Sequence, residues 1–169
     1  AMTAALLHDV GRFPQYARYK TFRDGISENH GKLGAEVVEA EHLLPDIAQQ
    51  DRDTIIAAVR FHNAFSLPAL KDETALILLR VVRDSDKLDI WKVFCDLDDY
   101  AGDNWPSAAA LDLPDLPDYS EEAVRCLEEQ RLVTLADLKT LNDFRLMQLS
   151  WIYDLNFASS FRLLSERGF

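Results

Sequence analysis

Apolar side chains recur at helical spacing along most of this 169-residue chain, and this periodicity constrains the fold more than any other feature. The clearest stretch is residues 72–98, where one stripe at intervals of three and four carries Ala75, Leu78, Leu79, Val82, Asp86, Asp89, Ile90 and Val93. No segment alternates apolar and polar residues as a half-buried strand does. The sequence therefore predicts an all-α protein, a helical bundle with further helices at its C-terminal end.

Capping residues and helix breakers divide this pattern into segments. We expect helices over residues 3–10, from Ser27 to about Leu44, from Asp51 or Asp53 to His62, over 72–98, from Ser120 to Arg131, over 135–142 and over 143–166, with loops at 15–26 and 101–118. A chain of this length predicts one domain over residues 1–169, with a core at 3–98, a loop at 99–119 and C-terminal helices at 120–167.

The composition excludes some partners and locations. Eighteen basic and 29 acidic residues give a net charge of −11, so binding of a nucleic acid polymer is disfavoured. No apolar run reaches the roughly 18 residues that a membrane-spanning helix needs, and the first residues lack the pattern of a secretory signal. Two cysteines, Cys95 and Cys126, make no disulfide framework and indicate a reducing cytoplasm.

The first 35 residues differ in charge from the rest of the chain. They hold three acidic residues and five basic ones, namely Arg12, Arg18, Lys20, Arg23 and Lys32. Each basic residue taken alone is equally well explained as a solvated surface charge. Taken together, they favour a small phosphorylated or otherwise anionic ligand.

Three polar residues stand where the helical pattern expects apolar ones, namely His30, His62 and Asp86. A single histidine in such a place is usually a hydrogen-bonded core residue. A buried carboxylate is harder to explain, because it needs a base or a metal ion as its partner. The basic neighbour Lys87 is adjacent to Asp86 on the same helix, so it points away and is a poor partner for the carboxylate.

An adjacent pair, His8-Asp9, adds two side chains of the types that Mn, Fe, Co, Ni and Zn accept as ligands. We therefore predict an inward-facing metal site formed by His8, Asp9, His30, His62 and Asp86. Gly34 shares a helix face with His30 and is expected to let another element approach closely. The remaining histidine, His42, is expected at the surface.

The segments around these residues resemble the HD-domain superfamily of metal-dependent phosphohydrolases, whose pattern is His…His-Asp…His…His…Asp on a helical fold. The matching segments are residues 5–13 (ALLHDVGRF), 27–34 (SENHGKLG), 61–63 (FHN) and 83–89 (RDSDKLD). Residues 150–157 (SWIYDLNF) resemble a C-terminal stretch of bacterial stand-alone members. The likeness covers most of residues 4–95 and implies the helical fold of that superfamily.

One ligand of the family pattern is not found. The family's first histidine lies on a helix upstream of the His-Asp pair, and residues 1–7 contain no histidine. We therefore expect an incomplete site, in which a metal is weakly held or missing unless a partner subunit completes it. The apolar surface that such a helix would cover makes a homo-oligomer an expected state.

The resemblance also implies a role for each residue. The implied metal ligands are His8, Asp9, His30, His62 and Asp86, the catalytic groups Asp9 and Asp84, and the substrate contacts Arg12 and Lys87. Asp9 would bridge one ion held by His8 and Asp86 and a second held by the other two histidines. Asp84 would act as an acid/base group or support a ligand, and the two cations would neutralise phosphate.

The implied activity is hydrolysis of a phosphomonoester or phosphodiester in a small molecule, with a nucleotide as one candidate substrate. It would use one or two divalent ions of Mn, Fe, Co, Ni or Zn. Two alternatives stay open. One is a catalytically inactive HD domain that regulates by binding a nucleotide or a partner, and the other is a di-iron oxygenase.

Overall fold

The computed structural model describes residues 1–101, 111 and 113–168, and within these ranges the regular elements are all helices. The α-helices are α1 Met2–Leu7, α2 Arg12–Tyr19, α3 His30–Ala40, α4 Gln49–Phe61, α5 Glu73–Ala101, α6 Glu121–Glu128, α7 Leu141–Ser150 and α8 Ala158–Arg167. Short 3₁₀ helices occupy Asp24–Ile26, Leu135–Asp137 and Trp151–Asp154. The all-α prediction is confirmed. No helix in the described part of the chain is long and apolar enough to cross a membrane.

The chain divides into two compact units, Ala1–Asp86 and Lys87–Phe169, and α5 contributes residues to both. In the first unit, α3 and α4 pack together around a core of Ala4, Ala35, Val38, Leu44, Ile55, Ile56, Ala58, Val59 and Val82. In the second, α6 and α7 enclose Ala123, Cys126, Val133, Phe144 and Met147. The single domain over residues 1–169 stays a prediction.

The longest predicted helix begins as expected, because the Asp72 carboxylate accepts the Thr74 N–H at 2.8 Å just before α5. Its predicted apolar stripe is buried at Ala75, Leu79 and Val82. The stripe does not continue as predicted, since Asp89 and Val93 are exposed. Within the predicted loop 99–119, residues 102–110 and 112 lie outside the described residues, and 113–119 contain no helix.

The loop predicted at residues 15–26 is wrong, because α2 covers Arg12–Tyr19. Gly11 and Pro14 follow the predicted helix over residues 3–10, but Gly11 is the N-cap of α2 and Pro14 lies in its first turn. Proline is tolerated there, since the first backbone N–H groups of a helix have no partner inside it. The helix ends at Tyr19, after which Lys20 adopts a left-handed conformation.

The predicted caps of α3 and α4 are also corrected. Asn29, not Ser27, caps α3, and its side chain accepts the Lys32 N–H at 2.9 Å. The Ser27 hydroxyl instead donates to the Arg23 carbonyl at 2.7 Å. The helix ends at Ala40 rather than Leu44, and the exposed His42 follows with a φ of 50°. α4 begins at Gln49, before both predicted caps.

Gly34 does provide the predicted close approach, and its partner is another glycine, Gly11. A Cβ on Gly11 would lie 2.1 Å from the His30 carbonyl oxygen and 2.5 Å from the Gly34 nitrogen. A Cβ on Gly34 would lie 3.3 Å from the Gly11 nitrogen and 3.1 Å from Cγ1 of Val59. The chain between α1 and α2 therefore lies directly against α3 at the level of His30.

The bounds of the C-terminal helices are set by side-chain hydrogen bonds, which the apolar pattern of the sequence does not predict. Thr140 and Asp143 form a capping box that starts α7 at Leu141, so the predicted helix over 135–142 is wrong. The predicted helix over 143–166 is broken after α7. The Ser150 hydroxyl donates to the Met147 carbonyl at 2.6 Å and accepts the Val133 N–H at 3.1 Å, in place of helix continuation.

The carboxylate of Asp143 is fully buried and organises the second unit. It accepts the Ser120 N–H at 2.5 Å, the Ser120 hydroxyl at 2.8 Å, and the N–H groups of Lys139 at 2.9 Å and Thr140 at 3.2 Å. Burial alone would raise the pKa of Asp143, but these donors outweigh it and lower the pKa. They therefore stabilise the fold while Asp143 is ionised.

Asp143→Asn is expected to lower the free energy of unfolding by about 1–3 kcal/mol, because the new NH₂ group faces backbone donors. The stabilisation in the native protein is present above the ordinary aspartate pKa and is lost as the pH falls through the lower folded-state pKa. Urea denaturation across this acid range measures both effects. The Asn variant should lose this part of the pH dependence. A variant as stable as the native protein at neutral pH would contradict the assignment.

Candidate metal centre

Four of the five predicted ligands lie at or near the ends of helices in the first unit, and the fifth lies in the middle of a helix. His8 directly follows α1, Asp9 lies in the turn before α2, His30 is the first residue of α3, His62 directly follows α4, and Asp86 lies in α5. Ligands at helix ends come from chain segments whose direction the packed helices fix. His30 and His62 are therefore positioned by the same α3–α4 packing that forms the core.

The structure brings all five side chains together in two overlapping groups. One group consists of His8, His62 and Asp86, and the other of Asp9, His30 and His62. Within each group, one ligand atom of every residue lies within 4.8 Å of the others. Imidazoles and carboxylates in such sets are typical ligands of divalent transition metals.

Asp9 faces both groups through different oxygen atoms. Its Oδ1 lies 3.3 Å from Nε2 of His30 and 3.6 Å from Nε2 of His62. Its Oδ2 lies 3.8 Å from Nε2 of His8, which in turn is 3.4 Å from Oδ1 of Asp86. The Asp9 side chain is also 47% exposed, so the centre is open to solvent on this side.

Each of the three histidines has its Nδ1 atom next to an oxygen acceptor. Nδ1 of His8 lies 2.6 Å from the Ala5 carbonyl oxygen, and Nδ1 of His62 lies 2.8 Å from that of Val59. Nδ1 of His30 lies 2.8 Å from the Asp24 carboxylate. In a neutral ring, an acceptor at Nδ1 holds the proton there and leaves the Nε2 lone pair toward the centre, as in metal-binding histidines.

The two buried histidines then present their lone pairs to each other. Nε2 of His30 and Nε2 of His62 are 3.0 Å apart. With the Asp9 oxygen they form a triangle of electron-rich atoms with edges of 3.0, 3.3 and 3.6 Å. Atoms bound at about 2.0–2.1 Å to a tetrahedral ion lie about 3.3 Å apart. The triangle therefore has the size and the chemistry to hold a transition metal ion.

The electrostatics of the two sides differ. Burial would lower the pKa of His8, but the nearby Asp86 carboxylate, the Ala5 carbonyl and Asp9 together raise it to about 9. At His30, burial outweighs the effect of Asp24 and lowers the pKa, so this imidazole is neutral at neutral pH. Burial would raise the pKa of Asp9, yet the three histidines and Arg12 hold it well below its usual range.

The other predicted site residues have different surroundings. Arg12 lies beside the centre, with Nε 3.4 Å from Asp9 Oδ1 and Nη1 2.7 Å from the Phe22 carbonyl oxygen. Asp84 is buried, with 2% of its surface exposed. Lys87 belongs to the second unit, where its Nζ lies 2.7 Å from Oδ2 of Asp154. The roles predicted for these residues stay predictions.

Sequence reasoning missed a polar network around His30. Besides His30, the Asp24 carboxylate accepts hydrogen bonds from Nε2 of Gln15 at 2.8 Å and Nδ2 of Asn63 at 2.9 Å. Gln15 is fully buried. A helix over residues 12–19 places Gln15 one turn after Gly11 on the buried face, so a correct assignment of α2 would have pointed to it.

Arg83 was also missed as part of the site. This residue is 3% exposed, and its Nη1 donates to the carbonyl of His62 at 3.0 Å and to the carbonyl of Ala64. A cation at the C-terminus of α4 satisfies carbonyl groups that have no partner inside the helix. Arg83 therefore fixes the backbone that carries His62.

Comparison with known protein families finds the HD domain over residues 1–91, which is more than half of the chain and includes all five clustered residues. No curated protein and no solved structure matches the chain. HD domains typically bind divalent metal ions, in keeping with the two His/Asp groups. The chain belongs to the HD-domain family.

Proposed function

We propose that this protein is a metal-dependent phosphohydrolase that acts on a small phosphorylated molecule. The observation that carries the proposal is the convergence of the His30 and His62 Nε2 atoms with an Asp9 oxygen, at separations of 3.0–3.6 Å. When both rings are neutral, their protons lie on Nδ1 against oxygen acceptors, so no proton lies between the two Nε2 atoms and the Asp9 oxygen. A cation relieves their repulsion, and membership of the HD-domain family supports a metal as that cation.

His62 occurs in both groups, but its Nε2 lone pair can bind one ion. We assign it to the ion held by Asp9 and His30, because its Nε2 lies 3.0 Å from that of His30. His8 and Asp86, with the second Asp9 oxygen, would hold the other ion. Metal ions at such a centre supply an acidified water as nucleophile and a clamp for phosphate oxygens.

The protein's own groups would bind and orient the substrate. Arg12 lies against Asp9 on the exposed side of the centre, where its guanidinium can neutralise phosphate oxygens. Lys87 would have to exchange Asp154 for phosphate in order to assist. The buried Asp84 is proposed as a proton-transfer or ligand-supporting group.

The test compares metal-free protein with protein reloaded with Mn²⁺, Fe²⁺, Co²⁺, Ni²⁺ or Zn²⁺. Phosphate release is measured over a panel of nucleotides and small phosphomonoesters and phosphodiesters. We expect hydrolysis by at least one loaded form and none by the metal-free protein. Tight metal or nucleotide binding without turnover would favour a regulatory HD domain. Oxygen consumption by the iron form would favour an oxygenase, and either result would overturn the proposed activity.

His8→Ala is expected to lower metal content and phosphate release by more than about 10-fold. Loss of a ligand's hydrogen-bond partner typically costs about 10- to 100-fold, and loss of the ligand itself should cost at least as much as the lower figure. His42→Ala is the matched control, because His42 is the exposed histidine outside both groups. Elemental analysis and phosphate release measure the two effects. Equal metal content in the two variants would contradict the role of His8.

A further inference from the structure

The carboxylate of Asp24 contacts His30 with both oxygen atoms. Nδ1 of His30 lies 2.9 Å from Oδ1 and 2.8 Å from Oδ2 of Asp24. A carboxylate at this distance only accepts hydrogen bonds, so the ring proton belongs on Nδ1. Asp24 thus determines which nitrogen of His30 faces Asp9 and His62.

Asp24 is itself held in place from three directions. Gln15 and Asn63 donate to it at 2.8 and 2.9 Å, and Nη1 of Arg12 lies 3.5 Å from Oδ1. Nε2 of Gln15 also donates to the Glu28 carbonyl oxygen at 2.9 Å, which ties the chain just before α3 to α2. Burial alone would raise the pKa of Asp24, but the hydrogen bond and charge of His30, the hydrogen bond of Gln15 and the charge of Arg12 outweigh it and lower the pKa.

The three histidines of the centre are therefore not equivalent. His8 and His62 donate to uncharged backbone carbonyls of Ala5 and Val59, whereas His30 donates to a carboxylate. Hydrogen bonds to charged acceptors are about twice as strong as those between neutral groups. A carboxylate partner also increases the basicity of a metal-binding imidazole.

We infer that Asp24 is a positioning residue that holds His30 in the Nδ1–H tautomer and strengthens its Nε2 as a metal donor. The affinity part of this inference rests on the proposed metal function, while the tautomer part does not. Asp24 contacts Nδ1 of His30, whereas Asp9 and His62 lie at Nε2 of the same ring. The effect of Asp24 on metal binding therefore passes through His30.

The first measurement is the ring ¹⁵N chemical shifts of metal-free protein at mildly alkaline pH. In the native protein we expect His30 in the Nδ1–H form. In Asp24→Asn the amide oxygen can still accept this proton, so the tautomer should be kept. In Asp24→Ala no acceptor remains, and the Nε2–H form should become populated. An Nε2–H tautomer at His30 in the native protein would overturn the inference.

The second measurement is a Co²⁺ titration followed by visible absorption and by calorimetry. Asp24→Asn should weaken binding by about 10- to 100-fold and alter the absorption bands, because the ligand is a weaker donor. Glu28→Gln is the matched control in the chain between α2 and α3, since the Glu28 side chain pairs with Arg18 and Tyr19 instead. It should bind Co²⁺ like the native protein.

Failure of the metal function and failure of the positioning role give different results. Native protein that binds no Co²⁺, yet has the expected His30 tautomer, would contradict the metal function and leave the tautomer assignment supported. Equal Co²⁺ affinity and spectra in Asp24→Asn and the native protein would overturn the positioning role. Thermal unfolding followed by circular dichroism checks that each variant is folded before its affinity is compared.

Discussion

Replacing Asp9 with alanine is expected to remove bound divalent metal and to abolish phosphohydrolase activity. Asp9 is the residue whose two oxygens face both sides of the centre, with Oδ1 toward His30 and His62 and Oδ2 toward His8. Its loss removes a ligand from each proposed ion and leaves the remaining histidines without their shared anion. We expect metal affinity to fall by more than about 100-fold, beyond the range for loss of a ligand's hydrogen-bond partner.

Elemental analysis and Co²⁺ titration measure this loss, and phosphate release measures its consequence. Asp46→Ala is the matched control, because Asp46 is an exposed aspartate outside both His/Asp groups. It should keep the metal content and activity of the native protein. Normal metal content in Asp9→Ala would refute the assignment of the centre.

Gly11→Ala is expected to lower the free energy of unfolding by about 3 kcal/mol, at the upper end of the range for inserting a methyl group into a packed site. The new Cβ would lie 2.1 Å from the His30 carbonyl oxygen and 2.5 Å from the Gly34 nitrogen. Both are backbone atoms, so relief requires the turn before α2 to move away from α3. That movement would also separate Asp9 from His30 and weaken metal binding.

Urea denaturation and Co²⁺ titration measure the two consequences. Gly25→Ala makes the same chemical change at a glycine where a Cβ would meet nothing within 4 Å. It should change stability by no more than about 0.5 kcal/mol, as for other surface substitutions. Stability of Gly11→Ala close to that of the native protein would show that the Gly11–Gly34 approach is not tight.

The helical class and the grouping of the five side chains followed from simple patterns. A histidine or aspartate on an apolar helix face is buried with the apolar residues, so it needs a polar or metal partner in the interior. His30, His62 and Asp86 each met that condition, and the structure brings them together with His8 and Asp9. The close approach at Gly34 followed from its position on the face that carries His30.

The supporting residues could not be found in this way, because their roles depend on tertiary contacts. Asp24 lies in a short 3₁₀ segment with no periodicity, and its partner Asn63 is 39 residues away. Arg83 shares α5 with Asp86 but acts on the end of another helix. The start of α2 could not be predicted because of Pro14. Proline normally breaks a helix, and it is compatible with one only in the first turn, where Pro14 lies.

The hydrogen bonds of His8 and His62 have a consequence for redesign of this centre. Each histidine ends its helix and bonds to the carbonyl three residues earlier, at Ala5 and Val59. Their orientation thus depends on a few neighbouring residues. A helix end that carries such a histidine could therefore be grafted onto another scaffold with the ring orientation kept. His30 would not transfer so simply, because its orientation comes from side chains spread over three separate segments.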